Sequence, residues 1–129
     1  MDPNEIVEKA YKLIYLVDVP EAIPEFLISD DWKKYAREII YGIAFMAYKG
    51  KAYKTIRDTL ILDSLKLLYT LDKEDFNETE FLKSFVKLVY MYVSHSLQNR
   101  IDLLTNKERW DNIYAALNEF SSLIKQWDT

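Results

Sequence analysis

The stretch ERWDNIYAALNEFSSLIKQW, residues 108–127, carries the most regular apolar pattern in the chain. Its apolar residues are separated alternately by three and four positions, as they are along one side of an α-helix. The series consists of Trp110, Ile113, Leu117, Phe120, Ile124 and Trp127. This spacing predicts a C-terminal helix with a narrow apolar seam of the coiled-coil type.

The C-terminal seam, which is the series from Trp110 to Trp127, has two interpretations. It either packs inside a bundle of helices or binds another protein chain. The seam is too short for a free-standing coiled coil, which favours packing inside the bundle. Partner binding by these six residues remains the alternative.

Helix-start signals recur through the rest of the chain. Asp2-Pro3 and Ser29-Asp30-Asp31 are typical of helix N-termini, and Asn77 with Glu80 and Thr105 with Glu108 form capping-box patterns. Gly50 is expected to end the second helix in a left-handed conformation. The apolar face expected for that helix comprises Trp32, Tyr35, Ala36, Ile39, Ile43, Met46 and Ala47.

The composition agrees with a helical protein. The 129 residues include only two glycines and three prolines, too few for the turns of a sheet protein of this length. The pattern predicts an all-α fold, a single compact bundle of about five helices with short connections, formed by residues 1–129 as one domain.

Composition also bears on compartment and source. The absence of cysteine excludes disulfides and thiolate ligands, and with no basic leader it fits a cytoplasmic protein. The longest uncharged run, LVYMYVSHSLQN, is too short to cross a bilayer, so no membrane association is expected. Many charged residues beside few glycines point to a thermophilic source.

Residues suited to catalysis are sparse. His95 is the only histidine and falls inside the uncharged run, where a satisfied structural role is the usual one. Asp63 lies among leucines, either as a partly buried acid or on the exposed edge of a broad stripe. The sequence therefore predicts a protein that is not an enzyme, with no metal, no cofactor and no small-molecule substrate.

One basic region interrupts an otherwise acidic chain. Residues 30–57 sum to +4, whereas residues 1–29 sum to −4 and residues 58–82 to −5. The KGK corner, residues 49–51, lacks the glycines of a phosphate-binding P-loop. Lys51, Lys54 and Arg57 recur every third residue, either as a solvated helix face or, with Lys49, as contacts to a nucleic-acid backbone.

Two segments resemble the small α-helical subunit of type III-B CRISPR effector (Cmr) complexes. AFMAYKGKAYKTIRDTL, residues 44–60, is similar to a helix end, a Gly/Lys corner and an amphipathic helix of that family, and residues 108–127 are similar to its closing helix. The resemblance implies a non-catalytic subunit of an antiviral ribonucleoprotein. It also implies that Lys49, Lys51, Lys54 and Arg57 contact the RNA backbone.

The residues and the resemblance together predict a small helical interaction subunit. Contacts with other protein subunits, or self-association, would dominate, and RNA-backbone contacts would be secondary. The alternative is a helical adaptor, inhibitor or viral protein that acts only through protein–protein contacts.

Overall fold

A computed structural model of the chain describes residues 2–18, 31–50, 54–98 and 105–127, without the side chains of Ile124 and Trp127. The described residues form five α-helices and no strand, which confirms the all-α bundle. The helices are α1 (Pro3–Asp18), α2 (Trp32–Lys49), α3 (Arg57–Leu71), α4 (Glu78–Gln98) and α5 (Lys107–Trp127).

Side-chain caps begin three of these helices. The Asp2 carboxylate accepts a hydrogen bond from the amide of Asn4, and the Asn77 side chain accepts one from the amide of Glu80. At α5 the cap is Asn106, whose side-chain oxygen accepts from the amide of Arg109. The cap predicted at Thr105 is thus one residue too early, because an asparagine at the next position serves equally well.

The helices pack in three layers. α1 and α4 contact each other and form the middle layer, and both contact α5 on one side. On the other side α2 packs against α1 and α3 packs against α4, while α2 and α3 pack against each other most extensively. α4 contributes the largest number of buried residues because it has neighbours on several sides. This position explains the long uncharged, apolar run in its sequence.

The connection between α3 and α4 is held against the start of α2. Arg37 donates a hydrogen bond to the Asp72 carboxylate at 2.6 Å, and the Lys33 ammonium lies 4.0 Å from the centre of the Phe76 ring. Trp32 and Phe76 in turn lie beside Phe81. These contacts show that α3 runs antiparallel to α2, with the end of α3 level with the start of α2.

Two expectations about α2 are wrong. Gly50 has φ −81° and ψ 119°, an extended conformation, and its amide closes the last turn of the helix by donating to the Met46 carbonyl at 2.7 Å. Met46 is exposed, and Ile40 takes its place in the core. At about 100° per residue, Ile40 forms the edge of the buried arc opposite Met46, so the core extends further toward Ile40, and less far toward Met46, than the spacing predicts.

Candidate protein-binding face and basic corner

The outer surface of the α2–α3 pair carries six large apolar side chains. Tyr41, Phe45 and Tyr48 follow one another at helical spacing on α2, and Leu62, Leu65 and Tyr69 do so on α3. Each is between 53% and 71% exposed. We call these six residues the hairpin face. It points away from the middle layer, so no helix of the described chain covers it.

The antiparallel register arranges the hairpin face in levels. The contacts of Arg37 with Asp72 and of Lys33 with Phe76 fix which residues of α2 and α3 lie side by side. Counting along both helices from these contacts puts Tyr41 level with Tyr69, Phe45 level with Leu65, and Tyr48 level with Leu62. The face therefore has three levels, each with one residue from α2 and one from α3.

Two cations lie over rings of the hairpin face. The Lys49 ammonium is 5.0 Å from the centre of the Phe45 ring, and the Lys73 ammonium is 4.3 Å from the centre of the Tyr69 ring. A cation over a ring in this geometry is weakly attracted by the ring's negative face. The rings are thus held in place while most of their surface stays accessible.

The predicted nucleic-acid contacts lie at the end of the hairpin face nearest Tyr48. Lys49 is the last residue of α2, Lys54 lies in the turn before α3, and Arg57 is the first residue of α3. All three are exposed; Lys51 lies outside the described residues. We call Lys49, Lys54 and Arg57 the basic corner. Because α3 begins only at Arg57, Lys54 lies in a turn. The prediction that Lys54 shares one side of a helix with Arg57 is therefore wrong.

The basic region of the sequence is not one surface patch. Lys33 and Arg37 lie at the start of α2, where Phe76 and Asp72 hold them. A helix rises about 1.5 Å per residue, so Lys33 lies about 24 Å along α2 from Lys49. Among the described cations of the basic region, those of the basic corner cluster at the C-terminal end of α2, where an Asp58 carboxylate lies 3.8 Å from the Arg57 guanidinium.

The C-terminal seam lies largely in the interior. Ile113, Leu117 and Phe120 are buried in the core, and Trp110 is half-buried against it with its ring 4.9 Å from that of Tyr114. The side chains of Ile124 and Trp127 lie outside the described residues. Ile113, Leu117 and Phe120 thus lie where the packing interpretation expects them, whereas half-buried Trp110 keeps part of its surface accessible.

A cleft of about 180 Å³ lies between α1, α2 and α4. Aromatic side chains line one wall, where the rings of Tyr11 and Tyr15 stack 4.7 Å apart. Burial, helped by a hydrogen bond with Tyr15, raises the pKa of Tyr11 from 10.0 to about 12. The Tyr92 hydroxyl donates to the Asp18 carboxylate at 2.8 Å, so this acid at the cleft already has a partner.

The other residues singled out for chemistry are dispersed. The His95 ring nitrogen lies 3.1 Å from the Thr55 hydroxyl, which links α4 to the turn before α3. Asp63 is half-buried on α3, among the residues that line a groove against α4. Within the described ranges, no three histidine or acidic residues come close enough together to hold a metal ion.

Comparison of the chain with protein families, with curated proteins and with solved structures gave no match. None of the described helices is long and apolar enough to cross a membrane.

The hairpin face was missed by reasoning from the sequence. The pattern assigned one apolar stripe of α2 to the core, whereas α2 has apolar residues on its outer side as well. The sequence did contain a signal for this face, which is the number of apolar residues in α2. Twelve of its eighteen residues are apolar, more than one buried stripe requires.

Proposed function

We propose that this protein is a non-catalytic interaction subunit that binds other protein chains through the hairpin face. The basic corner contacts an RNA backbone in a secondary role. The resemblance to the small subunit of type III-B CRISPR effector complexes suggests the kind of assembly, a ribonucleoprotein of several subunits.

The size of the hairpin face supports this proposal. An aromatic side chain presents roughly 200 Å² of surface, so four rings exposed by more than half leave on the order of 500 Å² accessible. The largest apolar patch on a typical monomer is about 300–600 Å² and is often functional. With two leucines added, the face is at the upper end of that range, as expected of a surface that a partner covers.

The composition of the face also favours a protein as its main partner. Tyrosine and phenylalanine are enriched at protein interfaces, and leucines between the rings offer no stacking surface to a base. Single-stranded RNA prefers a groove of closely spaced cations beside its aromatic platforms. Here the cations concentrate at one end, so RNA would contact the basic corner only.

The proposal is tested by recovering the tagged protein from its native cells with its bound proteins and RNA. In the face variant, Phe45→Glu and Leu65→Glu introduce two charges at the middle level. The control introduces the same charges at exposed tyrosines elsewhere, Tyr90→Glu and Tyr114→Glu. We expect the face variant to lose the protein partners and the control to keep them. Equal partner loss or retention in both variants would refute the role of the face.

The RNA contact is tested by fluorescence anisotropy of a labelled RNA of about 30 nucleotides, single-stranded and duplex, at low and physiological salt. Reversal of Lys49, Lys54 and Arg57 to glutamate should abolish binding that weakens steeply with salt. The matched control reverses Lys87, Lys107 and Lys125, which are also exposed. Absence of RNA binding by the wild-type protein, with partner capture intact, would instead support the adaptor alternative.

A further inference from the structure

We infer that the hairpin face binds a second copy of this chain, so that two α2–α3 pairs meet face to face and antiparallel around a two-fold axis. This inference rests on the proposed use of the hairpin face for protein binding and names the partner. The four helices would form a bundle whose inner surface is the two hairpin faces.

The area of the hairpin face is close to what a stable dimer needs. A standard interface buries about 800 Å² on each partner. The four rings expose on the order of 500 Å², and the two leucines and the stems of the flanking lysines extend the patch toward that value. A second copy would therefore cover the face on each chain with the same residues, as a two-fold interface requires.

The order of the levels suits a two-fold axis through the middle of the face. At the middle level, Phe45 and Leu65 would meet the same two residues of the other copy. The outer levels would exchange, so that Tyr41 and Tyr69 of one chain lie against Tyr48 and Leu62 of the other. Each level thus finds an apolar partner, because all three levels contain one residue from each helix.

The two ends of the hairpin face carry opposite charge. The basic corner sums to +2 when Asp58 is counted against its three cations. The opposite end, at the α3–α4 connection, sums to −1. Its charges are Asp31, Asp72, Glu74, Asp75, Glu78 and Glu80 against Lys33, Lys34, Arg37, Lys73 and Lys83, the last of which pairs with Glu80 at 3.9 Å.

An antiparallel pair brings each basic corner toward the acidic end of the other copy. α3 spans 15 residues, so the two ends are about 22 Å apart on one chain and would meet their opposites across the axis. A parallel pair would place like charges together at both ends, which is unfavourable. The charge distribution therefore selects the antiparallel arrangement.

Sedimentation velocity of the purified protein over a range of concentrations tests this inference directly. We expect a monomer–dimer equilibrium that weakens with added salt. Phe45→Glu, which places two charges beside the axis, should raise the dissociation constant about 100-fold or more. Tyr114→Glu, on the surface of α5, should leave it unchanged. A wild-type protein that stays monomeric at all concentrations, or a dimer that Phe45→Glu does not affect, would overturn the inference.

Charge exchange between two variants tests the orientation. One variant reverses the basic corner with Lys49→Glu and Lys54→Glu, and the other reverses the acidic end with Glu74→Lys and Asp75→Lys. Each alone should dimerise about 30-fold more weakly, because like charges then face each other at both ends. Mixing the two should restore a heterodimer, since its ends are again complementary. Dimers that remain unchanged in both variants would overturn the antiparallel arrangement.

Single cysteines give a geometric test, because the chain has no cysteine of its own. Tyr41→Cys mixed with Tyr48→Cys should oxidise to the heterodisulfide in preference to either homodisulfide. A preference for the two homodisulfides would indicate parallel packing and refute the inference. If the purified protein is monomeric while cellular partners still depend on the hairpin face, this inference fails and the proposed function stands.

Discussion

Replacing Gly42 by alanine should stabilise the protein, and the structure gives the expected size of the effect. Gly42 lies in the middle of α2, is exposed, and has helical neighbours on both sides. Apart from its chain neighbours and the backbone of its own helix, a Cβ atom built at this position meets no heavy atom within 4 Å. The substitution therefore adds no clash, and it removes the conformational entropy that glycine loses when it enters a helix.

The gain should be about 0.8 kcal/mol, which is the difference in helix propensity between glycine and alanine. For a domain of this length the entropy of unfolding is about 0.27 kcal/mol per kelvin, so the melting temperature should rise by about 3 °C. Calorimetry and urea unfolding of both proteins measure this difference. Ala115→Gly, at an exposed position in the middle of α5, is the mirror-image control and should lower stability by a similar amount.

A neutral or destabilising Gly42→Ala would refute this reasoning, provided that Ala115→Gly behaves as expected. It would mean that Gly42 is needed for a contact that the isolated chain does not display. Gly42 borders the cleft between α1, α2 and α4, so loss of stability there would direct attention to a ligand of that cleft.

Three further predictions concern the interior and the pH dependence. Ser64→Ala should raise the free energy of unfolding, measured by urea denaturation, by about 1 kcal/mol. The reason is that the fully buried Ser64 hydroxyl has no hydrogen-bond partner within the described part of the chain. Ser122→Ala, at an exposed site, is the control. Arg109→Ala should cost about 1–2 kcal/mol, since its guanidinium donates to the Val17 carbonyl at the end of α1, whereas Arg57→Ala on the surface should change the melting temperature little. Above pH 10 the unfolded chain loses the Tyr11 proton, whereas the folded chain keeps it up to a pKa of about 12. The free energy of unfolding should therefore fall as pH rises from 10 to 12, and it should fall more steeply than in Tyr11→Phe.

The helices could be predicted from the sequence because their signals are local. Capping side chains, helical spacing and the scarcity of glycine act within a few residues, and Asn77 caps α4 as its pattern predicts. Errors arose where two local solutions compete. Thr105 and Asn106 can both cap a helix, and Gly50 can end α2 without a left-handed conformation, so only the packed chain decides between them.

The positions of the cations were harder to predict, because they depend on how the helices dock. Lys33 and Arg37 belong to the same stretch of charge as Lys49, yet they bind the α3–α4 connection at the far end of α2. A sum of charge along the sequence does not contain this separation. The distribution of charge over the surface can be derived only after the antiparallel register of α2 and α3 is known.

The hairpin face shows why periodicity alone cannot separate a core from an interface. Tyr41, Phe45 and Tyr48 repeat at the same helical spacing as the buried Ala36, Ile40 and Ile43, and both rows satisfy the criterion for an apolar stripe. What differs is the number of helices available to cover them. α2 lies in an outer layer, so only one of its two stripes can face the core, and the described helices leave the second stripe exposed. The second apolar stripe of this outer helix is therefore the feature on which the proposed binding function rests.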